Sequence, residues 1–293
     1  MRNIQMIAPA SYVPSLNSVQ LDLLAAQFKK IGYNLCFSDF LFEKQYFLAG
    51  CDEIRLKDLE NAFLNPRIDA VLALRGGEGS MRLLDKIDYK KIKRHPKIFI
   101  GFSDTTAFQN ALWKKAKIPS YTGFVGRFGF SKINPQMLKN LKLCLENKIR
   151  SVELKTIQGK NAQGILLGGN LSVFCALFGT PFLPDLKNNV LLLEEANEPA
   201  YHLDRMFNQL HLSGTFNKIS ALILGDMTAG LNPKDKQLAD KIIKDHLSKI
   251  NCPIFSLKNY SHVRKNALLP IGVKVKINSK QNLLLLDKIK NFD

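Results

Sequence analysis

Apolar residues in the first half of the chain alternate between short unbroken runs and helical stripes. Residues 3–8 read as a strand. Residues 15–31 carry a helical stripe (Leu16, Val19, Leu23, Ala26) that ends near Gly32. Residues 34–38 give a second strand. Residues 52–64 form an amphipathic helix through Ile54, Leu56, Leu59 and Phe63. Residues 70–74 are a short buried strand that runs into Arg75-Gly76-Gly77-Glu78-Gly79-Ser80, and a helix follows through Met81, Leu83 and Leu84. Residues 98–101 are the next strand, and Ala107-Phe108-Gln109-Asn110-Ala111-Leu112-Trp113 begins the next helix. Repeated strand–helix alternation predicts a parallel sheet covered by helices. Sites on such sheets lie at the carboxyl ends of strands, where Gly76-Gly77 and Ser103 fall.

The second half has a different rhythm. Residues 134–160 read as a basic helix and a polar stretch, suited to a linker. Strand runs follow at 164–168, 190–193 and 221–224, with helical stripes at 172–178, 202–212 and 234–249. The late runs 273–277 and 282–286 can pair as a hairpin across Asn278-Ser279-Lys280-Gln281. The expected fold is α/β, with an N-terminal parallel-sheet domain over 1–135 and a C-terminal α+β domain over 160–293.

Composition agrees with this. A chain of 293 residues, 46% of them hydrophobic, can bury one large core or two ordinary ones. No apolar run is long enough to span a bilayer. The first apolar stretch is broken by Pro9, so it reads as a strand and turn and not as a signal peptide; a cytoplasmic location is the default expectation. Five scattered cysteines, with no CxxC pair, predict reduced thiols without a catalytic role. The net charge of +17 raises nucleic acid or an anionic substrate as partners. The lysines are spread along the whole chain, however, and the densest run is Asp88-Tyr89-Lys90-Lys91-Ile92-Lys93-Arg94. Solvated helix faces account for them, so neither a nucleic-acid nor a membrane partner is expected.

Candidate chemistry centres on Ile100-Gly101-Phe102-Ser103-Asp104-Thr105. A strand–turn–helix junction can hold a serine hydroxyl clear of the sheet edge beside the positive end of a helix. Ser103 or Asp104 would equally suit a plain helix cap. A serine nucleophile needs a base, and a base needs an orienting acid. His262 lies in a polar loop, suiting either a base or a surface histidine. Glu194 and Glu195 directly follow four apolar residues; a carboxylate there demands a partner if buried and none if it opens an exposed loop. The Arg75–Gly79 turn could aim backbone amides at an oxyanion or be an ordinary tight turn. It lacks the Lys-Ser/Thr of a phosphate loop.

Six segments, in order, resemble the LD-carboxypeptidase family of serine peptidases, which includes muropeptide LD-carboxypeptidases and microcin C immunity peptidases. They are Ala49-Gly50-Cys51-Asp52-Glu53-Ile54-Arg55 with Asp58-Leu59, then Arg75-Gly76-Gly77-Glu78-Gly79, then Gly101-Phe102-Ser103-Asp104. Gly168-Gly169-Asn170-Leu171 with Gly179-Thr180-Pro181 comes next, followed by Leu193-Glu194-Glu195 with Tyr201 and Asp204-Arg205-Met206. Last is His262 ahead of Pro270-Ile271-Gly272. The resemblance implies a triad of Ser103 (nucleophile), His262 (general base) and Glu194 (orienting acid), with the backbone amides of Gly77 and Asp104 as the oxyanion hole. It implies a site at the interface of the two domains, no metal or cofactor, and a homodimer.

The implied activity is release of the terminal D-alanine from a murein tetrapeptide in cell-wall recycling, with a peptidyl-nucleotide amidase of microcin C type as the alternative. Such an amidase needs an aromatic platform for the base, and the single Trp113 reads as core. Arg75, Glu78 and Arg264 are the substrate-binding candidates. Two departures touch substrate preference: Glu78 stands where the family often has tyrosine, and Ser120-Tyr121-Thr122-Gly123 stands where many members have His-Gly-Pro.

Overall fold

The computed structural model describes residues 2–262 and 266–289, which fall into two compact units. Arg264, a substrate-binding candidate, lies outside the described residues.

In the first unit the strands are β1 (Arg2–Ile7), β2 (Tyr33–Phe37), β3 (Ala70–Ala73), β4 (Ile98–Gly101) and β5 (Ser120–Thr122). The helices are α1 (Ser18–Lys30), α2 (Asp52–Leu64), α3 (Tyr89–Arg94), α4 (Thr106–Ala116) and α5 (Pro135–Leu145). Every residue of β3 and β4 is buried, as expected of central parallel strands covered on both faces. Phe99 of β4 meets Phe108 of α4 edge-on, with centroids 4.9 Å apart. The start of α1 is set by Asn17, which forms a capping box with Gln20, so the helix opens at Ser18 and not at Ser15. The expected helix after Gly79 is a single 3-10 turn, Ser80–Leu83.

The second unit holds β6 (Ser151–Glu153), β7 (Lys155–Gln158), β8 (Ala162–Asn170), β9 (Val190–Glu194), β10 (Ala221–Leu224) and β11 (Ile254–Ser256). Its helices are α6 (Leu171–Cys175), α7 (Ala200–Leu212), α8 (Thr215–Lys218) and α9 (Pro233–Ser248). Three late strands follow: β12 (Leu269–Ile271), β13 (Lys274–Asn278) and β14 (Leu283–Leu286).

Among the described residues these strands make two sheets. The first, of six strands, runs β12-β5-β4-β3-β1-β2 and is parallel except at its edge, where β12 pairs antiparallel with β5. Thus residues 268–272 belong to the first unit although they come late in the chain. The second, of eight strands, runs β6-β14-β13-β8-β9-β10-β11-β7. Its centre, β8 to β11, is parallel, and its flanks are antiparallel. The expected β13–β14 hairpin forms, with Ile277 opposite Leu284.

Of the stretch 134–160, the basic helix forms as α5 and the boundary between the units falls after Ile149, but the polar part that follows is not a loose connection. Residues 151–158 supply the two edge strands β6 and β7, at opposite edges of the second sheet. Their alternating exposed and half-buried positions suit edges, and their polarity is what made them resemble a linker. Trp113 is half-buried and packs on Gly272, where a Cβ would lie 2.6 Å from its ring. Among the described residues no helix is long and apolar enough to cross a membrane.

Candidate active site

Ser103 follows the buried end of β4. Phe102 is extended, and Ser103 turns into the left-handed region with φ 63°. A non-glycine residue there is strained, and the surrounding packing must hold it. Three contacts do so. The Thr105 hydroxyl donates back to the Phe102 carbonyl at 3.1 Å. Phe102 and Phe128 pack ring against ring, with centroids 6.2 Å apart. Gly76 closes in from β3, where a Cβ would lie 2.8 Å from Ser103 Cβ and 3.1 Å from the Asp104 amide nitrogen. Only glycine permits that approach, and it brings the two candidate oxyanion amides, those of Gly77 and Asp104, into one neighbourhood.

The glycine turn is itself tied down. Gly77 has φ 101° and lies against Ser11. The Ser11 hydroxyl accepts from the Glu78 amide at 2.9 Å and faces the Glu78 carbonyl at 3.4 Å. The Glu78 side chain is exposed. The Ser80 amide donates to the Asp104 carboxylate at 2.9 Å, and the Ser80 hydroxyl donates to the Asp104 carbonyl at 2.7 Å. Burial pushes the Asp104 carboxyl up to about 6, against the pull of those Ser80 hydrogen bonds.

Behind the turn, buried Arg55 donates to the carbonyls of Pro9 (2.7 Å) and Gly79 (2.9 Å) and to the Asp52 carboxylate (2.5 Å). Asp52 also receives Arg82 and Lys86, and those bonds hold its carboxyl well below the usual range. Arg75 donates to the Tyr12 carbonyl at 2.9 Å.

In the second unit β9 ends on Glu194, fully buried, beside Asn170 at the end of β8. The two neighbouring glutamates share the Asn170 amide but otherwise take different partners. Glu194 Oε2 meets His262 Nδ1 at 3.0 Å. Glu195 instead accepts from the Ser172 and Ala196 amides, both at 2.8 Å. The choice of Glu194 as the partner of His262 therefore has a geometric basis, and Glu195 anchors the start of α6.

Burial alone would lower the His262 pKa. The hydrogen bond and charge of Glu194, with Glu195 behind it, outweigh burial and raise it. A carboxylate on Nδ1 fixes the tautomer and leaves Nε2 as the atom that can take a proton. Gly225 makes room for this pair: a Cβ there would lie 2.9 Å from Glu194 Cβ and clash with the Tyr260 carbonyl. The Ser261 amide donates to Asn266 Oδ1 at 2.8 Å, holding the residue just before His262.

Ser103, Gly77, Asp104, Arg75 and Glu78 thus share the first unit, and Glu194 and His262 pair in the second. Asn170, Ser80, Ser11 and Asn266 support the site from positions that their residue types alone do not mark. Among the described residues no group of three His, Cys, Asp or Glu side chains is placed to hold a metal ion.

The chain is similar to known proteins along most of its length. Residues 4–123 match the LD-carboxypeptidase N-terminal domain and residues 163–277 the LD-carboxypeptidase C-terminal domain. The chain is 28% identical to the "Probable murein peptide carboxypeptidase" of Bacillus subtilis, over 97% of this chain and 91% of that one. It is 30% identical to the "Putative carboxypeptidase SCO6489" of Streptomyces coelicolor, over 83% and 79%. The solved muramoyltetrapeptide carboxypeptidase from Oxalobacter formigenes matches with a TM-score of 0.85 at 27% identity, covering 98% of each chain. Across both of its domains, this chain belongs to the LD-carboxypeptidase family.

Proposed function

We propose that this protein is a serine carboxypeptidase that hydrolyses the amide between an L-centre and a C-terminal D-amino acid, releasing D-alanine from murein tetrapeptide. The observation that carries the reading is the Glu194–His262 pair, 3.0 Å apart, in a chain whose Ser103 occupies a strained turn beside a glycine loop. Family membership and the names of the relatives support the substrate class.

In the proposed reaction the Ser103 hydroxyl attacks the scissile carbonyl while His262 Nε2 takes its proton. The Gly77 and Asp104 amides receive the negative oxygen of the tetrahedral intermediate. Imidazolium then gives the proton to the departing amine, so D-alanine leaves and Ser103 holds an ester. Water, deprotonated by His262, hydrolyses that ester and restores the serine. Glu194 keeps Nδ1 protonated and offsets the imidazolium charge. The reaction requires Ser103 and His262 to meet during turnover. The reading includes a cytoplasmic location, a homodimeric state and a role in cell-wall recycling.

Mass spectrometry of products from murein tetrapeptide tests it. Loss of one alanine by the wild type, absent in Ser103→Ala, is the expected result. An intact tetrapeptide together with cleavage of an aminoacyl-nucleotide amide would move the function to the microcin-type reaction. Cleavage surviving in Ser103→Ala would overturn the nucleophile assignment.

A further inference from the structure

A carboxypeptidase must recognise a free carboxylate beside the bond it cuts, and the first unit holds two arginines suited to it. The backbone after β5 bends back over the end of β4. The Gly123 amide donates to the Gly101 carbonyl of β4 at 3.2 Å, and four residues on the Arg127 amide donates to the Leu74 carbonyl at 2.7 Å. Gly126 allows this crossing, since a Cβ there would lie 2.7 Å from Met6 and 3.4 Å from the Leu74 backbone. Arg127 is thereby seated beside Leu74-Arg75. On its other side, Phe128 packs on Phe102, the residue before Ser103. Arg127 is thus one residue from a direct contact with the nucleophile turn, and Arg75 is next to Gly76, which touches Ser103.

Neither arginine makes an ion pair among the described residues, whereas Arg55, Arg82 and Lys86 of the same unit all pair with Asp52. Arg75 is half-buried and uses one nitrogen on the Tyr12 carbonyl; Arg127 is exposed. Burial, and then the charge of Arg127, lower the Arg75 pKa, so the two cations are close enough to repel. Two like charges held together with no counter-ion are relieved by an anion, and a guanidinium fork fits a carboxylate.

We propose that Arg75 and Arg127 together form the subsite for the free carboxylate of the substrate's C-terminal D-amino acid. The assignment rests on the peptidase reading above, and it selects Arg75 from the sequence candidates and adds Arg127, which no motif marks.

The test compares tetrapeptide ending in a carboxylate with the same peptide ending in a carboxamide, for wild type, Arg127→Gln and Arg75→Lys. Circular-dichroism melts confirm folding. Wild type should favour the carboxylate, and Arg127→Gln should shrink that preference about 10- to 100-fold, largely through KM. Equal losses on both peptides, or an unchanged preference, would overturn the proposal. So would a preference that survives Arg127→Gln and disappears in Arg264→Gln.

Binding of N-acetyl-D-alanine, followed by titration calorimetry, keeps the subsite separate from the reaction. Arg127-dependent binding by a protein that cleaves neither peptide would sustain the anion subsite and sink the peptidase reading. Binding that is absent, or equal in Arg127→Gln, would overturn the subsite whatever the turnover.

Discussion

The side-chain amide of Asn170 joins both carboxylates at the end of β9, donating to Glu194 at 3.3 Å and to Glu195 at 2.8 Å. Its oxygen caps α6 by accepting from the Val173 amide at 3.2 Å. Two buried acids side by side repel, and a neutral donor between them is what their position requires. Asn170→Ala should cost about 1–3 kcal/mol of stability. Asn170→Asp should cost more at pH 7 than at pH 5, because it adds a third carboxylate. Chemical denaturation at the two pH values measures both.

Glu194→Gln should lower kcat by about 10²- to 10⁴-fold, since the imidazolium loses its counter-charge. It should also displace the acid limb of the kcat/KM profile. His262 must be neutral to act as a base, and Glu194 raises its pKa above the ordinary histidine value of about 6.5. Removing that charge moves the limb to lower pH. The folded-state pKa is raised, so the pair's contribution to stability is full below the ordinary histidine range and fades as the pH climbs through the raised value. A limb that stays in place would mean the His262–Glu194 contact does not govern the base.

Gly76→Ala should fold yet lose most activity. The added methyl would lie 2.8 Å from Ser103 Cβ and 3.0 Å from the Phe102 carbonyl. Relief demands that the nucleophile turn and the glycine turn separate, for about 1–3 kcal/mol of stability. Thermal melting alongside single-turnover rates distinguishes this from global unfolding: the rate should drop far more than the stability predicts.

Asp58 gives a stability effect remote from catalysis. Burial pushes its carboxyl up to about 6, against hydrogen bonds from Ser38 and the Ala8 amide. An acid whose folded pKa lies above its unfolded value of about 3.9 contributes stability that is complete at low pH and lost as the pH rises through about 6. Asp58→Asn keeps the acceptor and removes the charge. It should stabilise the protein at pH 7 by about 1–3 kcal/mol and leave it unchanged at pH 4, as read from urea midpoints.

Much of the fold was legible because its central strands are unbroken apolar runs: Ala70–Ala73, Ile98–Gly101 and Ala221–Leu224 are buried on both faces. What escaped were strands whose neighbours, and not their own composition, define them. Ser120-Tyr121-Thr122 is polar yet wholly buried between β4 and β12, and Lys155–Gln158 is polar because it is an edge. The Glu194–His262 pairing spans 68 residues, and no spacing rule reaches so far. Glu194 was marked by the apolar run before it. Arg127 had no such mark, since its place follows from one backbone hydrogen bond to Leu74.

The late return of β12 to the first sheet has a consequence for biosynthesis. The ribosome makes the nucleophile segment early, but residues 269–271, which cover the edge of β5, come only after most of the chain has been made. An open edge invites mispairing until it is covered. The nascent chain therefore cannot close its serine-bearing sheet until the segment that carries His262 has been made, and a gene cut at residue 149 would encode two fragments, the first of them without its closing strand.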